Sequence, residues 1–435
     1  MKLKFGIGLQ CVIYMVLISS CKAIENDVVK PRVLISSDIG GTDPDDFQSM
    51  IHLLMYADQF EIEGLVASPF GDGRKSNYLD IIDDYEKDYA QLAKHASDLP
   101  KPAALRAVVK QGAIPAAPFK GYSTSTEGSD WIIKCAKKES DQPLWVLVWG
   151  GIEDLAQALH DAPEIKENIR VYWIGGPNKK WSINAYSYIA ANHGDLWMIE
   201  ANATYRGWFM YEDSPEAFKG EAYYDNFIQG RGVMGKDFIN YYKGEIKMGD
   251  TPSLAYVMNG DPEDPTGESW GGSFEKIDRS SRSVFEGGST NADTVAAYAI
   301  IEWRFKGPKI TVPEDSAVFQ IKIQGQIWPG YYLGEGIYGV KYSSKKAEHG
   351  KYKTSSEIPE LNGLEGEYIS TIPWPGKPSS DDFQLGSNWY SDRLAEGLFI
   401  KDQQGAKTIS KHREAFLGDW GERWKWLEKS CPIQK

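Results

Sequence analysis

Four aspartates follow an apolar run in the stretch VLISSDIGGTDPDDFQSMIHLL, namely Asp38, Asp43, Asp45 and Asp46. Carboxylates at the end of a buried strand are costly unless a partner neutralises them. Asp45 and Asp46 begin a predicted helix, whose dipole contributes only about 0.3–1 kcal/mol per charge. The stretch therefore predicts a cation site with oxygen ligands. Ca²⁺ tolerates a mixture of carboxylate, carbonyl and water ligands and is favoured over Mg²⁺, which demands stricter geometry.

A simpler interpretation is that Asp45 caps the helix and that the other aspartates are solvated loop residues. The position directly after an apolar strand, with Gly40 and Gly41 freeing the backbone, favours the metal site. Asp43 is predicted to be a turn residue outside the ligand set.

The elements around this stretch predict an α/β fold with a mainly parallel sheet and helices on both faces. The segments RVLISSD, EIEGLVAS, LWVLVWGG and RVYWIGGP are apolar strand patterns, and amphipathic helical patterns separate them. Ligands of such sheets bind outside the carboxyl ends of the strands. The polar and glycine residues Ser68, Gly150-Gly151 and Gly175-Gly176 stand at those ends, so they are expected to meet Asp38 in one crevice.

The pattern changes after Pro308. SAVFQIKIQGQ and GIYGVKYSS alternate like antiparallel strands, and REAFLGDWGERWKWLEK is a final helix. We therefore expect an α/β domain at residues 31–308 and a smaller β-rich module at residues 309–435.

The N-terminus has the pattern of a bacterial export signal. A short positive region precedes an apolar segment that ends in Ile18-Ser19-Ser20-Cys21, which resembles a lipobox. The prediction is a signal peptide over residues 1–21, lipidation of Cys21 and a tether over residues 22–30. A plain secretory signal is the alternative. The protein is thus expected to be exported and anchored by lipid to a bacterial membrane, its only membrane contact.

Composition excludes some partners. The formal net charge of −13 argues against nucleic acid as a partner, because phosphate binding needs a basic surface. The 15 Trp and 24 Tyr residues are compatible with sugar stacking, although most are expected in the core. Beyond the signal, Cys135 and Cys431 make no disulfide framework.

The string from Asp38 to Asp46 resembles the N-terminal aspartate motif of the inosine-uridine nucleoside hydrolases. Continued through QFEIEGLVASPF, it is similar to the nucleoside hydrolase-like domain of unknown function (DUF1593) of secreted and cellulose-associated bacterial proteins. The resemblance covers about residues 31–308.

This resemblance implies roles for individual residues. Asp38 would contact calcium and act as general base, Asp45 would hold a sugar hydroxyl, and Asp46 would be a calcium ligand. The carbonyl at Trp149, or at the following glycine, would be a further ligand. STNADTVAAYAIIEWR resembles the segment that gives the last calcium aspartate at the start of a helix, which implies Asp293.

The substrate side departs from the family pattern. Asn184 matches a sugar-binding asparagine, but Ser68 stands where an asparagine is expected. The histidine that assists purine leaving groups is absent, because Asn291 and Ala292 precede Asp293. Trp270 lies in a Gly/Pro-rich loop and either lines the site against a sugar ring or is structural.

Together these features predict a calcium-dependent glycosidase-type hydrolase of N- or O-glycosyl bonds that acts at the cell surface on a small sugar, glycoside or glycan. The first alternative is a ribonucleoside hydrolase for salvage. The second is a carbohydrate-binding lipoprotein without turnover, which the missing histidine favours over the first. Retention of a general base beside the metal aspartates favours catalysis over binding alone.

Overall fold

The computed structural model describes residues 29–68 and 74–428. Its first sheet has eight strands: β1 (Arg32–Ser37), β2 (Glu61–Ala67), β3 (Val109–Gln111), β4 (Leu144–Val148), β5 (Ile169–Ile174), β6 (Met198–Ala201), β7 (Phe274–Lys276) and β18 (Trp389–Asp392). Their order is β3-β2-β1-β4-β5-β6-β18-β7. All neighbours are parallel except β18 and β7, which are antiparallel.

Helices cover both faces of this sheet. They are α1 (Asp45–Met55), α2 (Lys75–Leu92), α3 (Pro102–Ala107), α4 (Glu127–Ala136), α5 (Glu153–Asp161), α6 (Gly176–Trp181), α7 (Ile183–Asn192), α8 (Gly232–Phe238), α9 (Thr251–Asn259), α10 (Lys407–Ser410) and α11 (Arg413–Trp424). Alternate residues of β1 enter different cores: Leu34 packs with α4, α5 and α7, whereas Val33 and Ile35 pack with α1, α2 and α11. The predicted α/β class is confirmed.

A second sheet contains β9 (Arg282–Glu286), β10 (Thr294–Ala296), β11 (Ile300–Lys306), β12 (Ala317–Ile323), β13 (Gln326–Tyr332), β14 (Ile337–Tyr342), β15 (Glu348–Ser355) and β16 (Glu365–Thr371). The order is β10-β16-β15-β12-β13-β14-β11-β9, and the inner pairs are antiparallel. The short strands β8 (Arg279–Ser280) and β17 (Phe383–Gln384) pair separately. This is the predicted β-rich module.

The predicted boundary after residue 308 needs correction. The second sheet already begins at β9, and the chain returns to the first sheet at β18 before α11 packs on the first core. The helix that the family resemblance implied would start at Asp293 is also wrong, because β10 and β11 follow Asp293 instead. Tyr298 between them has a φ of +65°, and the apolar residues Ile301, Trp303 and Phe305 alternate as in a strand.

Some predictions fall outside the described residues. Cys21 and the signal and tether segments up to residue 28 lie there, as does Cys431. Among the residues that are described, no helix is both long and apolar enough to cross a bilayer.

Candidate functional site

A tight turn joins β1 to α1 and brings three aspartates together. The backbone N–H of Gly41 donates to the carbonyl of Asp38 (2.8 Å), and Gly40 adopts a φ of +87° that favours glycine. Helix α1 then starts at Asp45, so Asp45 and Asp46 lie in its first turn, beside the end of β1. Local sequence thus fixes the positions of Asp38, Asp45 and Asp46.

A distant loop supplies a fourth aspartate, Asp250. The side chain of Gln48 on α1 holds this loop, because its Oε1 accepts from the N–H groups of Lys247 and Met248, each at 3.0 Å. Next along the loop, the N–H of Gly249 donates to Asp45 Oδ2 (3.0 Å). Asp250 follows immediately, at the N-terminus of α9.

Carboxylate oxygens of Asp45, Asp46 and Asp250 lie within 4.8 Å of one another, and all three residues are buried. Burial raises the pKa of Asp250 well above its usual range, and the nearby charges of Asp46 and Asp45 raise it further. Burial likewise raises the pKa of Asp46, with Asp38 as the next cause. In the described part of the chain Asp250 Oδ2 has no hydrogen-bond partner. Converging oxygens and one orphaned oxygen fit a hard divalent cation such as Ca²⁺.

Asp38 and Asp45 also hold protons more strongly than usual. Loss of hydration, followed by the charge of Asp45, raises the pKa of Asp38 to about 8. Burial raises the pKa of Asp45 to about 7, although the ammonium of Lys247 opposes this. Lys247 Nζ is 3.7 Å from Asp45 Oδ2 and contacts Asp43 directly. One ammonium group is too little to neutralise the cluster.

Gly150, two residues after the end of β4, lies close to the carboxylate of Asp38. A Cβ built on Gly150 would lie 2.4 Å from Asp38 Oδ1, so this position accepts no side chain without moving the carboxylate. The carbonyl of Gly150 accepts a hydrogen bond from Trp173 Nε1 (3.0 Å). Glu153 lies nearby, and burial raises its pKa to about 7 although Ser182 Oγ donates to it (2.7 Å).

A cavity of about 410 Å³, a size within the range of small-molecule sites, is lined by the carboxylates of Asp38, Asp43, Asp45, Asp46 and Asp250. Its other walls carry aromatic rings and cations: Trp149, Trp181, Tyr205, Phe209, Lys180, Arg206, Lys247 and Lys345. Gln326 of β13 and Lys345, from the turn after β14, reach it from the second sheet. Both sheets therefore contribute to one cavity.

Of the residues singled out in the sequence, Asp38, Asp45, Asp46 and Trp149 line the cavity. Asp43 lines it as well, paired with Lys247.

Asp293 is not at the cavity, and its prediction needs correction. It lies half-buried on the turn before β10, where its carboxylate accepts from the N–H of Thr290 (2.7 Å). The strand order of the second sheet, rather than a helix, determines its place. Asp250 occupies the position at a helix N-terminus that had been expected of Asp293.

The other three substrate-binding predictions also lie away from the cavity lining. Asn184 Nδ2 donates to the Ala117 carbonyl (3.0 Å). Ser68 is buried, and its Oγ has no hydrogen-bond partner among the residues described. The ring of Trp270 packs on the first core, which supports the structural interpretation of that loop.

The sequence signal for Asp250 was available but weak. Asp250 precedes Thr251 and Pro252, and proline in the first turn after an aspartate is typical of a helix N-terminus. Asn178 on α6 also lines the cavity, whereas Asn184 does not. No sequence pattern pointed to Lys180, Arg206 or Lys345.

Comparison with known proteins gives two matches to family models. Residues 32–274 match the family described as "Cellulose-binding Sde182, nucleoside hydrolase-like domain". Residues 294–357, within the second sheet, match a domain of unknown function (DUF5060). No match is found among the sequences of curated proteins.

Similar solved structures include a nucleoside hydrolase-related hypothetical protein from Saccharophagus degradans that is associated with carbohydrate metabolism. It is 17% identical, covers 79% of this chain and 100% of its own, and has a TM-score of 0.47. The inosine-uridine preferring nucleoside hydrolase from Bacillus anthracis is 20% identical, covers 59% of this chain and 87% of its own, with a TM-score of 0.36. The purine-preferring ribonucleoside hydrolase from Gardnerella vaginalis is 15% identical. It covers 57% of this chain and 83% of its own, with a TM-score of 0.35.

Proposed function

Because this chain belongs to the family of cellulose-binding Sde182 nucleoside hydrolase-like domains, we propose that it is a divalent-cation-dependent hydrolase of glycosidic bonds, N- or O-glycosyl. The observation that carries the proposal is the convergence of Asp38, Asp45, Asp46 and Asp250 on one cavity. Ca²⁺ is the proposed cation and Mg²⁺ the less suitable one.

The proposed ligands are Asp46 and Asp250, with Asp38 and the Trp149 carbonyl beside them. Of the two carbonyls considered, that of Gly150 already accepts a hydrogen bond from Trp173. A bound Ca²⁺ would supply Lewis acidity and an anchor for sugar hydroxyls.

The chain's own carboxylates would perform the remaining steps. Asp38, held against Gly150, would take the proton of the attacking water as general base. Asp45, one oxygen of which accepts from the N–H of Gly249, would hold a sugar hydroxyl. Negative charge around the anomeric carbon would stabilise an oxocarbenium-like transition state.

The leaving group is more consistent with a sugar or other alcohol than with a purine. Among the described residues that line the cavity there is no histidine. The rings of Trp149, Trp181, Tyr205 and Phe209 offer apolar faces on which a sugar can stack. The absence of a histidine from the described cavity lining also favours a second candidate function, carbohydrate binding without turnover. We further propose that the protein acts at the cell surface, where a lipid on Cys21 would hold it.

The test is a screen of purified protein against nitrophenyl glycosides, including furanosides, nucleosides and plant or microbial glycans, with added Ca²⁺ or with a chelator. Asp38→Asn and Asp250→Asn should each abolish Ca²⁺-dependent turnover. Asp293→Asn is the matched control and should leave turnover unchanged, because Asp293 lies outside the cavity.

Turnover that survives both chelation and Asp38→Asn would refute the cation-dependent mechanism. Glycan binding without turnover of any substrate would replace it with the binding function. Turnover of nucleosides alone would identify the ribonucleoside hydrolase.

A further inference from the structure

Three cations line the same cavity as the carboxylates, and within the described residues none of the three forms a salt bridge. Lys180 lies on α6, Arg206 in the 3-10 turn Thr204–Trp208, and Lys345 in the turn between β14 and β15. The carboxylates that act on them, Glu348 on both lysines and Asp402 and Asp45 on Arg206, all lie more than 4.0 Å away. Lys180 Nζ instead contacts the amide oxygen of Gln326. We refer to Lys180, Arg206, Lys345 and Gln326 as the cationic wall.

The cations of this wall affect one another unfavourably. Burial and then the charge of Lys345 lower the pKa of Lys180 to about 8. Loss of hydration and then the charge of Arg206 lower the pKa of Lys345. Arg206 Nε is itself buried without a hydrogen-bond partner in the described part of the chain. A positively charged surface of this kind, facing a cavity, is stabilised when an anion enters.

The ion pairs on the acidic side of the cavity do not include these cations. There it is Lys247 that contacts Asp43 and lies 3.7 Å from Asp45 Oδ2. The wall and the carboxylates line one cavity, so a ligand that fills the cavity meets groups of both charges.

We propose that the cationic wall binds the anionic substituent of an acidic sugar (a carboxylate, sulfate or phosphate) while the hydroxyls of that sugar face the aspartates. The inference rests on the proposed function and names its substrate class. Arg206 offers planar, paired donors, and the two lysines offer mobile charges. Since Gln326 and Lys345 belong to the second sheet, that sheet helps to select the substrate.

The test uses the full chain with Ca²⁺ and matched sugars that differ only in charge. Glucuronic, galacturonic and mannuronic acids, and sulfated and phosphorylated hexoses, are compared with their neutral parents by calorimetry. We expect at least one acidic sugar to bind about tenfold or more tightly than its parent, as for charge-assisted hydrogen bonds. Raising the ionic strength should weaken binding of the acidic sugar selectively.

Lys345→Ala is the main variant because its side chain lies in a surface turn, and Arg206→Gln is a second. Each should weaken the acidic sugar about three- to tenfold and the neutral parent by less than about twofold. Lys346→Ala is the matched control, because Lys346 adjoins Lys345 but does not line the cavity. It should change neither affinity.

The outcomes separate the two proposals. Ca²⁺-dependent turnover of neutral glycosides, with no acidic sugar preferred and no effect of Lys345→Ala, would overturn the cationic wall and leave the hydrolase proposal intact. The protein could instead prefer acidic sugars, lose that preference in Lys345→Ala and show no Ca²⁺-dependent turnover. That result would support the proposal for the cationic wall and refute the hydrolase proposal. The acidic sugar whose affinity exceeds that of its neutral parent by the largest factor shows whether the wall prefers carboxylate, sulfate or phosphate.

Discussion

The affinity of the aspartate cluster for a divalent cation should depend steeply on pH. Without a cation, Asp38, Asp45, Asp46 and Asp250 all have raised pKa values, so they hold protons near neutrality. A cation must displace those protons to bind. Since the competing protons are lost as pH rises, affinity should increase with pH.

The size of the effect follows from the number of protons displaced. A pH of about 6 is below the pKa of Asp38, about 8, and below that of Asp45, about 7, so both carboxyls are then mostly protonated. The pKa values of Asp46 and Asp250 lie well above the usual range. Because the four carboxylates titrate together, we expect release of about two protons rather than four. Each proton changes Kd about tenfold per pH unit, so Kd should fall about 100-fold between about pH 6 and pH 7.

The same linkage governs stability. A carboxyl group with a raised pKa in the folded state stabilises the protein at low pH, and this contribution is lost as pH rises through the folded pKa. The apo protein should therefore lose stability from about pH 4 toward pH 8, and Ca²⁺ should restore it most strongly at the upper end.

Calorimetry in buffers of different ionisation enthalpy counts the released protons directly, and thermal unfolding with and without Ca²⁺ gives the stability. Asp250→Asn should bind more weakly and release about one proton fewer. Asp293→Asn should behave as the unaltered protein. A Kd that varies less than about tenfold per pH unit over this range would refute the reasoning.

Three further substitutions test the packing around the site. Gly150→Ala should cut turnover about 100-fold without unfolding the protein, as circular dichroism would check, because its Cβ displaces the Asp38 carboxylate. His52 is buried, and burial lowers its pKa to about 3, so its contribution to stability is lost as pH falls below about 6.5. In urea unfolding, the free energy of unfolding of the unaltered protein should fall by about 2 kcal/mol more than that of His52→Leu when the pH is lowered from about 6.5 to about 5. An equal fall for the two proteins would contradict this. Glu63→Ala should cost about 3–5 kcal/mol, because it leaves a buried guanidinium unpaired, whereas Glu61→Ala at an exposed ion pair should cost about 0–1 kcal/mol. Similar losses for the two would show that burial of the pair is unimportant.

The part of the site that the sequence predicts is local. Asp38 ends a strand, Gly40 permits the turn, and Asp45 and Asp46 begin the next helix within a few residues. The unbroken apolar run Val33-Leu34-Ile35 in β1 likewise indicates a strand buried on both faces. Each of these inferences needs only neighbours along the chain.

The remainder depends on contacts between distant segments. The bond from Gly249 to Asp45 joins residues 204 positions apart, and no periodicity in the sequence indicates it. Asp293 was implied by the resemblance of its segment to one that begins a helix in the family, but pairing within the second sheet makes that segment two strands. Tertiary pairing overrides local propensity there. Hence Asp250 was missed although its helix signal was present.

The cavity takes residues from both sheets, so the chain is not simply two modules in sequence. The aspartates come from the first sheet and its helices, whereas Lys345 and Gln326 come from turns and strand ends of the second. Strand β18 then returns to pair with β6, and α11 packs on the first core. Since the chain crosses between the sheets twice, their separation would cost buried apolar contact as well as the cavity. Under the proposed function, changes at Gln326 and Lys345 should therefore alter which sugar is bound without disturbing the aspartates.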